Sequence, residues 1–323
     1  MNLWEMADLS TPWSLHVAAT LGIAGHIAAG KTEIADLAAA ADVDRNSLYR
    51  VLRHLVNKGV FEEPAPGRFA LNDPARQLLE GPIRLGLDLN GIGGRMAHAW
   101  GTLLTAVRRG RPAYHEIFGR AFWDDLEAHP DIAASFDELM GVAGHGVPDP
   151  EVLVDPSFWA SVKTVVDVGG GTGALLAEVL RAHPQARGTL VDFPRTVARS
   201  PEVFAAAGVA ERATVVGQSF FDPLPAGADL YILKGVINDW PDPEAIAILK
   251  RCAEALPPAG RVSIIGGVGP DEPESPELMM MVLVGGRRRP LAEFRAMARE
   301  AGLAVRASGN QPTGRFMVEL AAE

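Results

Sequence analysis

Residues 165–180 read VVDVGGGTGALLAEVL, a valine-rich run that ends in a cluster of glycines and passes directly into an apolar helical pattern. The valines predict a buried strand. The glycines allow a tight turn and let a ligand come close to the backbone, and the helix that follows presents free N–H groups at its N-terminus. Asp192 ends the next strand-like segment about twenty residues on, where a carboxylate can take both hydroxyls of a ribose. Strand, glycine turn, helix and acid in this order form a nucleoside-site pattern, although Gly169, Gly171 and Ala174 also satisfy the relaxed dinucleotide fingerprint. Asp167 favours the former, because an acid just before the glycines can meet the ammonium of an amino-acid moiety but faces a pyrophosphate unfavourably.

The segments GTLVDF, ATVVG, DLYILKG and RVSIIGG repeat the buried-strand pattern, separated by helical stretches such as 173–183 and 242–256. Such alternation predicts an α/β fold, a doubly wound and mostly parallel Rossmann-like sheet over 151–323. LAVRAS and RFMVELA close it as a final hairpin, which makes seven strands. Upstream, GVPDPEVLVDP breaks the pattern with three prolines and places a boundary near 150. Residues 96–150 read as a helical connector rich in large apolar groups, and such a connector is a common place for an apolar pocket. Trp123, Phe136, Met140 and His145, with Met280 from the catalytic domain, are its candidate substrate-binding residues.

Residues 1–95 read as short helices followed by a hairpin. Leu48, Val51, Leu52, Leu55 and Val56 recur at helical spacing, and GVFEE and GRFALN on either side of PAPG supply two strands of a wing. This mostly helical winged-helix pattern raises the reading of a DNA-binding regulator, with Arg45, Arg50, Arg53 and Lys58 on the recognition helix. The segment carries nine Lys or Arg against eleven Asp or Glu, so it has no basic excess to hold a duplex, and dimerisation is the better reading.

The whole chain of 323 residues has a net charge of −10, which argues against nucleic acid or an anionic membrane as partner and for a small molecule. No run approaches the roughly 18 apolar residues of a membrane span, and Glu5 and Asp8 precede the first apolar stretch, unlike a secretory signal. One cysteine, Cys252, allows neither an internal disulfide nor a multi-cysteine metal site. These features read as a cytoplasmic enzyme without a metal.

DVGGGTG, VDFP, VVGQSFFDPLPAGADLYILKGVINDWPD and LAEFRAMAREAGL, in this order behind a winged-helix region, resemble the small-molecule O-methyltransferases that use S-adenosylmethionine (SAM). The resemblance covers nearly the whole chain. It implies a class I methyltransferase domain, a homodimer formed through the N-terminal domains, and a substrate pocket between connector and sheet. Carried over, Asp167, Gly169 and Gly171 line the methionine part of SAM, Asp192 binds its ribose, Ser219 and Phe220 contact adenine, Lys234 stands near the cofactor, and Trp240 packs on adenine.

The resemblance fails at three linked positions. Family members run LHDW where this chain runs INDW, and the histidine that deprotonates the acceptor is replaced by Asn238, whose amide is no base near neutral pH. Gly266 and Arg288 stand where the family has carboxylates that hold that histidine, and all eight histidines lie at or before residue 183. The remaining candidates are Asn238 and Asp239, which can orient the acceptor, with Asp239 also able to serve as a weak base or to cap the following helix. Arg287 and Arg288 are either a solvated loop or, near the pocket, a partner for an anionic acceptor. A positioned base is worth about 10²- to 10⁴-fold, whereas holding two reactants in line contributes about 7 to 11 kcal/mol. The sequence therefore predicts a SAM-dependent methyltransferase for a small aromatic or polyketide-like natural-product intermediate, as in antibiotic biosynthesis. O-methylation is first choice and C- or N-methylation possible, and the acceptor arrives already nucleophilic. The alternative is an enzyme that keeps the methyl group on SAM and performs a hydroxylation, decarboxylation or pericyclic step.

Overall fold

In the computed structural model, residues 2–270 and 277–323 are described, and the chain forms two units: Met1–His98 with Leu126–His145, and Ala99–Asp125 with Gly146–Glu323. The stretch 96–150 is thus divided, 96–98 and 126–145 belonging to the first unit and 99–125 and 146–150 to the second.

In the first unit Asp44 accepts a hydrogen bond from the Ser47 amide at 2.8 Å and starts the helix Arg45–Asn57. The helix buries Leu48, Leu52 and Leu55 against Ile23, Ile34, Leu37, Phe61 and Phe69. The wing follows as Glu62–Ala65 (β1) and Arg68–Ala70 (β2), antiparallel. Its first strand begins later than GVFEE suggests, because Phe61 adopts a left-handed backbone while its ring fills the core. Two of the basic residues on the would-be recognition helix are already paired, Arg53 with Glu63 and Lys58 with Asp8.

The second unit is built on a seven-stranded sheet. In chain order the strands are Thr164–Val168 (β3), Arg187–Asp192 (β4), Ala213–Gly217 (β5), Leu230–Lys234 (β6) and Arg261–Ile265 (β7). Val268–Gly269 (β8) then pairs in parallel with Arg289–Pro290 (β9), and Leu303–Asn310 (β10) and Phe316–Ala322 (β11) complete the sheet. The spatial order is β10-β11-β7-β6-β3-β4-β5, with β11 antiparallel to both neighbours and β7, β6, β3, β4 and β5 paired in parallel. Alternation along β3 shows why the valines are needed: Val166 and Val168 join one apolar layer with the helices Asp242–Ala255 and Leu291–Glu300, while Val165 joins the other with Ala174–Ala182. The strand order reverses direction at β3, so the crevice beyond the carboxyl ends of β3, β4 and β6 is where such a sheet binds ligands. Among the described residues no helix is long and apolar enough to cross a membrane, and no His, Cys, Asp and Glu cluster could hold a metal ion.

Candidate active site

The loop after β3 forms one side of that crevice. Gly169 and Gly171 both have positive φ, 69° and 63°, and a Cβ on Gly169 would stand 2.7 Å from Val236 Cγ2, so neither position takes a side chain without strain. Asp167 lies beneath the loop, its Oδ2 2.3 Å from where a Cβ of Gly170 would be. Its carboxyl is fully buried and neither oxygen makes a hydrogen bond of good geometry, although the Leu176 amide lies near enough to favour the charged form weakly. Burial pushes it up to about 7, against the pull of the Lys234 ammonium, with the Asp192 charge adding to the rise. An unpartnered buried carboxyl is costly, about 1 to 3 kcal/mol for a polar group and more for a charged one. The protein therefore carries, under a nucleotide-type loop, an acceptor fitted for a cationic ligand group.

Asp192 at the end of β4 is held in place from both sides: Oδ2 accepts from the Gly171 amide at 2.8 Å and Oδ1 from Phe193 at 2.7 Å. Beyond β5, the Ser219 hydroxyl oxygen accepts from the Phe221 amide at 3.2 Å, and buried Phe220 meets Trp240 edge-on at 6.0 Å between ring centres. Phe221 also meets Trp240 edge-on, at 4.8 Å, and Trp123 stacks on it at 6.0 Å with 21° between the planes. Lys234, half-buried at the end of β6, has its ammonium pushed down by burial and by Arg315. All eight residues expected on the cofactor side thus lie in the second unit, at the carboxyl ends of neighbouring strands or in the loops that follow them.

The other side of the crevice is the turn Ile237–Asp239 after β6. Asn238 Nδ2 donates to Asp239 Oδ1 at 2.7 Å. The Asp239 carboxyl is pushed up to about 7, first by burial and then by the Glu277 charge. It does not cap the next helix, whose N-cap is Pro241 without any side-chain capping bond. Gly266 leaves open space, while a Cβ on Gly267 would stand 2.9 Å from the Asn238 amide nitrogen, so it is Gly267 that lets this turn approach.

The arginine run is not a solvated loop. Arg287 pairs with Asp242 at 2.8 Å and with Glu293. Arg288 is half-buried, its guanidinium filling the place of a side chain at Gly269, and its amide donates to Glu277 Oε2 at 2.6 Å. Arg289 is fully buried. Nη1 donates to the Ile237 carbonyl at 2.8 Å, Nη2 to the Trp240 carbonyl at 2.7 Å, and Nε to Asp242 Oδ1 at 2.9 Å. Sequence reasoning missed Arg289 and Glu277. An arginine inside a short strand that starts behind two glycines was the available signal for the first; nothing local pointed to the second.

Trp123 and Met280 lie in the second unit. Phe136, Met140 and His145 lie in the first, where Met140 is exposed and the His145 Nδ1–H donates to the Leu139 carbonyl at 2.8 Å, leaving Nε2 as an acceptor.

Comparison with known proteins decides what this crevice belongs to. The model of the O-methyltransferase domain family matches residues 100–304. The chain belongs to this family. It is 42% identical over 313 residues to the 2,7-dihydroxy-5-methyl-1-naphthoate 7-O-methyltransferase of Streptomyces carzinostaticus, covering 95% of this chain and 94% of the relative. It is 39% identical over 321 residues to the aclacinomycin 10-hydroxylase of Streptomyces purpurascens, covering 94% and 84%. Among solved structures it resembles an O-methyltransferase of neocarzinostatin biosynthesis in complex with SAM and 2-hydroxy-5-methyl naphthoic acid, with a TM-score of 0.91, 40% identity and 100% and 99% of the two chains covered. This O-methyltransferase is a SAM-dependent enzyme of the class I fold, and the unpartnered Asp167, the glycine loop and the anchored Asp192 fit SAM.

Proposed function

We propose that this enzyme methylates a hydroxyl group of a small aromatic or polyketide-derived intermediate, with Asp239 as the proton acceptor in a site that has no histidine. The observation that carries the reading is the hydrogen bond from Asn238 to Asp239 in this half-buried turn, on a carboxyl pushed up to about 7. A base works best when its pKa lies near the working pH. Bound SAM supplies an electrophilic methyl group on a sulfonium. The acceptor oxygen forms the O–CH₃ bond as the S–CH₃ bond breaks, the electron pair passes to sulfur, and the hydroxyl proton goes to Asp239. For a phenol of pKa about 10, transfer to a group near 7 is uphill by about 4 kcal/mol, so the acceptor ring must itself be acidic or the transfer must be concerted with attack.

On the cofactor side, Asp167 takes the SAM ammonium, Gly169 and Gly171 let the methionine part approach, Asp192 holds the ribose, Lys234 stands beside the amino-acid end, and Ser219, Phe220 and Trp240 form the adenine wall. Trp123 and Met280 contact the acceptor ring, and Arg288 receives an anionic substituent on it. The chain works in the cytoplasm as a homodimer. A second copy would cover Leu3, Trp4, Met6 and Leu9, which lie exposed on and beside the N-terminal helices; a monomer by light scattering counts against this.

Incubation with SAM and a panel of hydroxynaphthoates and hydroxyquinones, followed by mass spectrometry, tests the reading. Methylated product with equimolar S-adenosylhomocysteine supports it. Modified product without S-adenosylhomocysteine supports instead the SAM-retaining chemistry that 39% identity to a hydroxylase keeps in view.

A further inference from the structure

We propose that Arg289 is the positioning residue of methyl transfer: its guanidinium spans the turn that carries Asn238 and Asp239 and fixes that turn against the acceptor. The proposal rests on the reading that this turn faces the acceptor. Three features support it. The two nitrogens of one planar group take the carbonyls of Ile237 and Trp240, which bracket Asn238 and Asp239 on both sides. The same group also bonds Asp242, at the first residue of the helix that follows, so the turn is tied to a rigid element. From the same chain segment, Gly286 abuts the turn: a Cβ there would lie 2.0 Å from the Asn238 carbonyl oxygen and 2.5 Å from the Asp239 carbonyl carbon. The turn is short, 3₁₀ in character and has no side-chain cap of its own, so its orientation is set from outside.

A planar fork matters here in a way that charge alone does not. Lysine can balance Asp242 but offers a point donor that cannot bridge two carbonyls facing one guanidinium. Displacement of a reacting group by about 1 Å costs on the order of 10²-fold in rate. Arg289 touches neither reactant; it acts through the residues it holds.

The test uses the full-length enzyme and compares Arg289→Lys with Arg212→Lys. Arg212 is a control of the same kind: its half-buried guanidinium takes three carbonyls, those of Leu180, His183 and Ala186, at and after the carboxyl end of helix Ala174–Ala182, outside the site described above. Both variants should lose melting temperature. Arg289→Lys should lose kcat by about 10²-fold per SAM-binding site, with SAM affinity by calorimetry within threefold of the parent, and Arg289→Gln should lose at least as much. Arg212→Lys should keep kcat within threefold. If Arg289→Lys keeps kcat per SAM-binding site, or loses no more than Arg212→Lys, the proposal is wrong and Arg289 is a structural clamp. If Arg289→Lys does not fold, Gly286→Ala displaces the same turn without removing a buried charge, and an unchanged kcat there overturns the proposal equally. Failure of the underlying reading looks different: Asp239→Asn would then keep kcat.

Discussion

The two sides of the crevice each hold a carboxyl pushed up to about 7, Asp167 fully buried and Asp239 half-buried, and on the proposed reading they serve opposite ends. Asp167 has no hydrogen-bond partner of good geometry, and burial favours its protonated form until, on the proposed reading, the ammonium of SAM pairs with the carboxylate. Asp239 has a donor, Asn238, and its proton is one it can take up and release while the turn stays fixed. On the proposed reading, the same raised affinity for a proton belongs to a ligand-binding group on one side and to the proton acceptor on the other. What separates them is the neighbour as well as the burial, which is complete for Asp167 and partial for Asp239.

The largest effect should come from the chemical side. Asp239→Asn is isosteric and removes the base, so kcat should fall by about 10²- to 10⁴-fold while SAM affinity stays within threefold. A loss below tenfold would make Asp239 a bystander and erase the contrast.

Next in size is Asp167→Asn. A charge-assisted bond is worth about 1.5 to 3 kcal/mol, so SAM affinity should weaken by about 10- to 10²-fold. Stability should move the other way. Because the folded-state pKa is raised above 3.8, Asp167 contributes stability that is fully present below that value and is lost as pH rises from 3.8 through about 7. The ligand-free variant should thus melt higher than the parent at pH 8, by several degrees at about 2 to 4 °C per kcal/mol. An unchanged or lower melting temperature would mean that Asp167 is not stranded without a partner.

Asn238→Ala should cost less, about three- to tenfold in kcat. Its amide donates to the Asp239 carboxylate and so favours the charged form. Without it the rising limb of the pH–rate profile should shift to higher pH; a shift to lower pH would put the amide on the protonated form. Arg288→Ala should be smallest, raising KM for a carboxylated acceptor about fivefold, the effect of about 1 kcal/mol from one half-buried charge pair, and leaving a neutral acceptor unchanged. Equal effects on both acceptors would remove Arg288 from recognition.

The same contrast explains what was legible in the sequence. The cofactor side is made within one local unit: Gly171 reaches Asp192 across a single βαβ step, so glycines, valines and an acid at fixed spacing disclose it. The five parallel strands were legible as short apolar runs between helical stretches, and the last two as a hairpin that follows the final helix. The acceptor side is assembled from distant segments. Arg289 reaches the Ile237 carbonyl across 52 residues, and Arg287 reaches Asp242 across 45. Three consecutive arginines look alike in a sequence, yet one is fully buried, one paired and one laid along Gly269, and only the pairing of β8 with β9 decides which is which. The absence of the histidine and the carboxyl of Asp239 beside Asn238 could be read from the turn alone; the Arg289 side chain that holds the turn could not.

The central claim is that Asp239 accepts that proton, and the pH dependence of kcat at saturating SAM tests it most directly. The parent enzyme should show a rate that rises with pH about a midpoint near 7, where the carboxylate forms, and Asp239→Asn should show a low rate without that limb. The same limb at the same midpoint in Asp239→Asn would contradict the account and assign the titration to another group.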